Sequence, residues 1–161
     1  MSLGVGAAGS VRVGLAIGAR DAEKTRAAGY AGLAGAIGVM SVAALAFAIV
    51  PRPLARLISD QETIIAASLP LFLVAAVFQL SDGVQAVGSG VLRGAGDTRY
   101  AFIANILGHW IIGLPIALIL GFAMKMGIVG LWWGLCVGLT AVAVLLFVRF
   151  ERLSAGEIAP I

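Results

Sequence analysis

Four stretches of this chain, residues 27–50, 63–92, 100–124 and 126–148, are long and apolar enough to cross a lipid bilayer. A helix needs roughly 20 apolar residues to span the hydrocarbon layer. The 161-residue chain is 61% hydrophobic and only 12% charged, whereas a soluble domain carries about 25% charged residues. A water-soluble fold has nowhere to hide so much apolar surface. The charges cluster at Arg20–Arg26, Arg52–Glu62, Arg93–Arg99 and Arg149–Glu157, between the stretches. The stretches are continuous and do not alternate, which excludes a transmembrane β-barrel. The chain therefore reads as an all-α, polytopic membrane protein with four complete spans, A to D.

Residues 1–18 form a fifth apolar stretch, too short to span and carrying Arg12. In a signal peptide the basic residues precede the apolar core. Here they follow it, so 1–18 reads as the tail of a helix whose start is missing. Residues 19–152 hold the four spans, and 153–161 form a tail. Arg12, Arg20, Lys24 and Arg26 precede span A, Arg93 and Arg99 separate B from C, and Arg149 and Arg152 follow D. Even numbers of crossings separate these groups, so they share one face; Arg52, Arg56 and Lys125 lie on the other. The positive-inside rule makes the richer face cytoplasmic. The expectation is a multi-pass protein of the inner (plasma) membrane with a cytoplasmic C-terminus, and with lipid, not nucleic acid, as the partner of its net charge of +3.

Pro51 and Pro53 should end span A, because proline has no N–H to donate and its ring clashes with the preceding turn. Ser59-Asp60-Gln61-Glu62 has the pattern of a capping box before span B. Gly18 and Asp21 mark a helix end and a new start, and Gly94-Ala95-Gly96-Asp97-Thr98 repeats that logic between B and C. Asp21, Glu23, Asp60, Glu62 and Asp97 are read as caps and solubilising charges. Gly29, Gly32, Gly35 and Gly38 in span A, and Gly130, Gly134 and Gly138 in span D, form small-residue seams that let helix backbones approach closely. Pro70 and Pro115 should kink spans B and C. The single cysteine, Cys136, permits no disulfide within the chain and reads as a small packing residue.

One carboxylate, Asp82, lies about two-thirds along span B. An aspartate at the bilayer centre costs about 2.5–3.5 kcal/mol to insert, which the apolar residues around it offset. Asp82 should therefore face protein or water, not lipid. Phe78, Asp82, Gln85 and Ser89 share one helical face by their i, i+4, i+7, i+11 spacing, and Gln79 and Ser81 flank it. Span C offers Asn105 and His109 four residues apart, as interhelical hydrogen-bond partners or as further lining. A carboxylate taken out of water sheds its charge by holding a proton or a cation. Intramembrane acids are accordingly ion or proton sites by default, so Asp82 is the candidate coupling residue and a candidate sodium ligand. No nucleophile–base pair, metal-ligand cluster or phosphate loop is present, so no enzyme and no cofactor is expected.

Gly9-Ser10-Val11-Arg12-Val13-Gly14 and Gly18-Ala19-Arg20-Asp21 resemble the start of a cytoplasmic loop in the C-terminal lobe of MATE multidrug efflux transporters. Phe78-Gln79-Leu80-Ser81-Asp82-Gly83-Val84-Gln85 with Gly90-Val91-Leu92-Arg93-Gly94-Ala95-Gly96-Asp97-Thr98-Arg99 is the closest match. Trp110-Ile111-Ile112-Gly113-Leu114-Pro115 and Gly130-Leu131-Trp132-Trp133-Gly134 resemble the family's last two helices. The resemblance implies a two-lobe, twelve-helix fold with both termini cytoplasmic, in which residues 1–18 end the eighth helix and spans A to D are the ninth to twelfth. It implies exchange of sodium or protons for cationic, amphipathic drugs, and a NorM-like cation site at Asp82. A tyrosine often stands where this chain has Phe78. The N-terminal lobe and the seventh helix with its glutamate have no counterpart here. The chain thus reads as a C-terminal portion whose partner is the missing lobe or a second chain. The rival readings are a non-transporting remnant or packing partner, a small transporter dimerising around one acid, and, more remotely, a lipid-linked flippase.

Overall fold

The computed structural model describes residues 2–155, which are helical apart from short turns. The helices are α1 (Ser2–Gly18), α2 (Ala22–Ile49), α3 (Pro51–Arg56), α4 (Glu62–Gly94), α5 (Thr98–Ile106), α6 (Leu114–Leu118) and α7 (Gly127–Ala155). Wide π-helical segments, Leu107–Gly113 and Ile119–Ala123, join α5 and α6 into one continuous rod with them. Four helical segments are long and apolar enough to cross a membrane: Ala22–Ile49, Glu62–Gly94, Thr98–Ala123 and Gly127–Ser154. Among the described residues there is no strand. The all-α membrane architecture expected from the apolar stretches is thus observed. The end of the C-terminal tail, 156–161, lies outside the described residues.

The two glycine-alanine turns follow one plan. Asp21 N–H donates to Ala16 O at 3.0 Å and Arg20 N–H to Ile17 O at 2.9 Å. Asp97 N–H donates to Leu92 O at 2.9 Å and Gly96 N–H to Arg93 O at 3.0 Å. These are helix C-terminal motifs that need a left-handed residue. Gly96 supplies it in one turn (φ 80°) and Arg20 in the other (φ 55°). Each turn then ends in an aspartate N-cap, Asp21 accepting from Lys24 N–H and Asp97 from Tyr100 N–H. These two caps form as expected.

The capping box at residues 59–62 does not form. Gln61 stands at the N-cap of α4 with no side-chain cap bond, and Ser59 Oγ accepts from Gln61 N–H at 3.2 Å. Glu62 is drawn elsewhere: its two oxygens hold Arg52 and Arg56, each at 2.8 Å. Two arginines outcompete a neutral amide for one carboxylate. The prolines after span A end α2 and also begin the short α3, since proline is preorganised for the first helical turn.

α4 is the central helix and touches α1, α2, α3, α5 and α7. Pro70 lies inside it on an exposed face, and the helix runs on through it. Pro115 acts differently. It sits in the first turn of α6 between the two π segments, and Leu114 N–H reaches back five residues to His109 O. Pro115 has no N–H to continue the regular ladder, and the wide turn ends where it stands.

The glycine seam of span D packs as expected. A Cβ on Gly134 would lie 2.1 Å from Ala117 Cα, and one on Gly138 2.7 Å from both Gly113 Cα and Gly108 O. The seam of span A is only partly used. Gly29 lies under the Phe150 ring, whereas nothing approaches Gly38 within 4 Å. A seam not marked in the sequence joins α4 to α1, where a Cβ on Gly90 or Gly94 would meet Gly6 O or Ser10 O at 2.3 Å. The fully buried core (Val13, Ala36, Val87, Leu92, Val142, Leu146) lies among α1, α2, α4 and α7. Ion pairs Asp97–Arg149 and Arg26–Glu151 gather the two glycine-alanine turns and the end of α7 at one end of the bundle.

Candidate functional site: a polar seam along α4

Asp82 is half-buried, and among the described residues it makes no hydrogen bond and no ion pair. Phe78, Gln85 and Ser89, on its helical face, are half-buried too, as is Gln79. α1 closes one flank of this face, where Gly6 approaches Ala86 O and Gly90. α5 closes the other, where Gln85 Nε2 donates to Asn105 Oδ1 at 2.8 Å. Phe78 is fixed edge-on against Trp132 of α7, with ring centroids 5.8 Å apart. The acid stands between these flanks.

Two polar atoms on this part of α4, Gln79 Nε2 and Ser89 Oγ, are buried with no hydrogen-bond partner among the described residues. A buried donor left unpaired costs about 1–3 kcal/mol, so such atoms mark places where water or an ion belongs. Asn105 makes the interhelical bond expected of it, and its Nδ2 donates to Ala101 O at 2.7 Å. His109 is not drawn across to α4. Its Nδ1 lies 3.1 Å from Asn105 O, on its own helix.

Ser81 turns away from Asp82's face and meets Thr140 of α7, Oγ to Oγ1, at 2.8 Å. Thr140 donates its own proton to Cys136 O, so Ser81 is the donor in that pair. Both hydroxyls line a groove of about 440 Å³ between α2, α4 and α7. Thr140 carries no signal in the sequence, and Trp132 stands there only as part of the Gly130–Gly134 resemblance. The α4–α7 crossing alone identifies Ser81 and Phe78 as their partners. Cys136 is buried, as its packing role requires.

Chemically, the seam offers one carboxylate, amide oxygens and an unpaired hydroxyl, all on or beside one helix. Among the described residues no three His, Cys, Asp or Glu side chains converge as a metal site would need. Asp82 can thus carry one proton or share one monovalent cation with neutral oxygens.

Residues 1–119 match the family model MatE. The chain is 41% identical over 162 residues to "Multidrug resistance protein NorM" of Burkholderia vietnamiensis, an alignment covering 98% of this chain and 35% of that protein. It is 34% identical to "Multidrug resistance protein MdtK" of Pectobacterium atrosepticum, over 100% of this chain and 36% of that one. It superimposes on the crystal structure of the eukaryotic MATE transporter AtDTX14 with a TM-score of 0.79 and 26% identity, covering 96% of this chain and 36% of that one. A MATE family transporter of the MOP superfamily in an inward-facing conformation gives a TM-score of 0.85 at 20% identity, a likeness of fold. The chain spans about a third of the length of the curated relatives it matches. The resemblance carried by the motif around Asp82 is borne out.

Proposed function

The chain belongs to the MatE family, whose members are transporters and not enzymes, and from that premise we propose that it supplies the cation-coupling part of a multidrug antiporter. In this reading the chain is the C-terminal-lobe portion of the exporter, in the inner membrane with its C-terminus cytoplasmic. It exchanges sodium or protons for cationic amphipathic compounds. The observation that carries the reading is Asp82, a carboxylate inside a membrane-spanning helix without a counter-charge among the described residues.

The mechanism follows from electrostatics. Opposite charges attract far more strongly in a low dielectric than in water, so an unpaired Asp82 captures a cation or proton whenever its face is open to solution. Gln79, one turn away, has a buried amide N–H free to donate to the carboxylate or to a water beside it, and Ser89, two turns on, has an unpaired hydroxyl further along the seam. Capture shifts the conformational equilibrium only if the two conformations hold the ion unequally. The flanks of the site permit that difference, since α1 and α5 meet α4 through separate contacts. The partner surface for this movement is the other lobe, or a second chain that takes its place.

The test is efflux of a cationic dye from vesicles under an imposed sodium or pH gradient, by the complete transporter bearing this segment. Asp82→Asn should abolish gradient-driven efflux while leaving membrane insertion intact. Unchanged efflux in that variant would overturn the assignment.

A further inference from the structure

Arg12 stands six residues before the end of α1, about 9 Å along the helix, and is exposed. Among the described residues it makes no ion pair and no side-chain hydrogen bond. Five of the other ten basic residues are matched: Lys24 with Asp21, Arg26 with Glu151, Arg52 and Arg56 with Glu62, Arg149 with Asp97. Arg20, Arg93, Arg99, Lys125 and Arg152 share Arg12's lack of an ion pair among the described residues, but of these six only Arg12 lines the groove between α1 and α2. An unmatched guanidinium on a membrane helix takes an anion or water as its partner, because charge in or near hydrocarbon persists only when paired or hydrated.

The surroundings of Arg12 say which anion. The turn closed by Arg20 folds α2 back along α1, and a groove of about 490 Å³ runs between them. Arg12 and Lys24 stand on its walls, and Leu15, Ala16, Ala28 and Ala31 line the rest. We propose that this groove binds one anionic phospholipid, with Arg12 holding the phosphate and an acyl chain lying along the alanines. Arginine takes phosphate oxygens through two parallel N–H bonds. Lys24 assists with the protons not committed to Asp21, whose carboxylate lies 2.8 Å away. A peptide in this trench would strand its backbone polar groups against alanine methyls. An acyl chain has none to strand. The site shares no residue with the Asp82 seam, so it stands or falls independently of ion coupling.

Native mass spectrometry of the full chain, released from micelles holding equal phosphatidylglycerol and phosphatidylcholine, tests this. The wild-type chain should retain phosphatidylglycerol in preference. Arg12→Gln should cut that retention roughly five-fold, the share of one basic residue at a charged membrane surface, and Arg12→Lys should keep most of it. Arg152→Gln makes the same charge change at the exposed end of α7 and should leave retention unaltered. Ala31→Phe fills the groove at an exposed position while keeping both cations, and should also lose the lipid. Equal losses in Arg12→Gln and Arg152→Gln would overturn the site, as would full retention in Ala31→Phe. Displacement of the lipid by inorganic phosphate alone would overturn the role of the acyl chain.

Discussion

Arg149 Nε lies 2.7 Å from Asp97 Oδ2, while Asp97 Oδ1 accepts from the Tyr100 amide that opens α5. One aspartate thus caps a helix and ties it to the end of α7. The Arg149 guanidinium also lies over the Tyr100 ring, 5.1 Å from its centroid. Asp97→Asn keeps an oxygen for the cap and loses only the charge, so it should cost about 1 kcal/mol. Asp97→Ala loses the cap as well and should cost about 1 kcal/mol more. Thermal unfolding in detergent should order the chains wild type, Asn, Ala.

The α7 seam gives a sharper contrast. A methyl on Gly134 would fall within van der Waals overlap of the Ala117 backbone, and backbone does not yield as a side-chain tip does. Gly134→Ala should cost about 1–3 kcal/mol through overpacking. Gly38→Ala adds the same methyl where nothing lies within 4 Å. It should be neutral or slightly stabilising, since alanine is the better helix former. Unfolding midpoints of the two variants, measured together, check both directions.

The same comparison shows what was legible in the sequence. Apolar length fixed the four spans, and the spacing of Gly130, Gly134 and Gly138 marked a seam that the structure uses throughout. Gly38 carries the same spacing signal but faces open space, because only the neighbouring helix decides which glycines are covered. Gly90 and Gly94 carry no sequence sign of a packing role, since their partners, Gly6 and Ser10, are some 80 residues away in sequence. At the candidate site, periodicity put Phe78, Asp82, Gln85 and Ser89 on one face. It set Ser81 beside that face but could not give its partner, Thr140, which depends on how α7 crosses α4. Glu62 matched a capping pattern, yet the nearness of Arg52 and Arg56 decided its use.

Asp21 carries a pH dependence of defined sign. The hydrogen bond from the Lys24 side chain, with that from its backbone N–H, holds the Asp21 carboxyl below its ordinary range. A depressed folded-state pKa contributes stability that is present above the unfolded pKa and lost as pH falls through the folded one. The turn between α1 and α2 should therefore loosen on acidification below the usual aspartate range, about pH 4. Asp21→Asn retains the cap oxygen and removes the proton. The hydrogen-exchange protection factor at residues 21–25, which removes the intrinsic slowing of exchange in acid, should fall from neutral to acid pH in the wild-type chain and stay flatter in Asp21→Asn.

The two glutamines beside Asp82 separate a structural role from a functional one. Gln85 is paired with Asn105, so Gln85→Leu strands the Asn105 oxygen and should destabilise the chain by about 1–3 kcal/mol. Gln79 Nε2 is buried without an acceptor, so Gln79→Leu removes an unmet donor and should leave the unfolding midpoint unchanged or raised. A residue kept polar at a cost to stability is expected to act on something other than the fold. In the complete transporter, Gln79→Leu should therefore weaken gradient-driven efflux although the protein is as stable as before. Stability falling with efflux in Gln79→Leu would make Gln79 a packing residue, and full efflux with unchanged stability would remove it from the site.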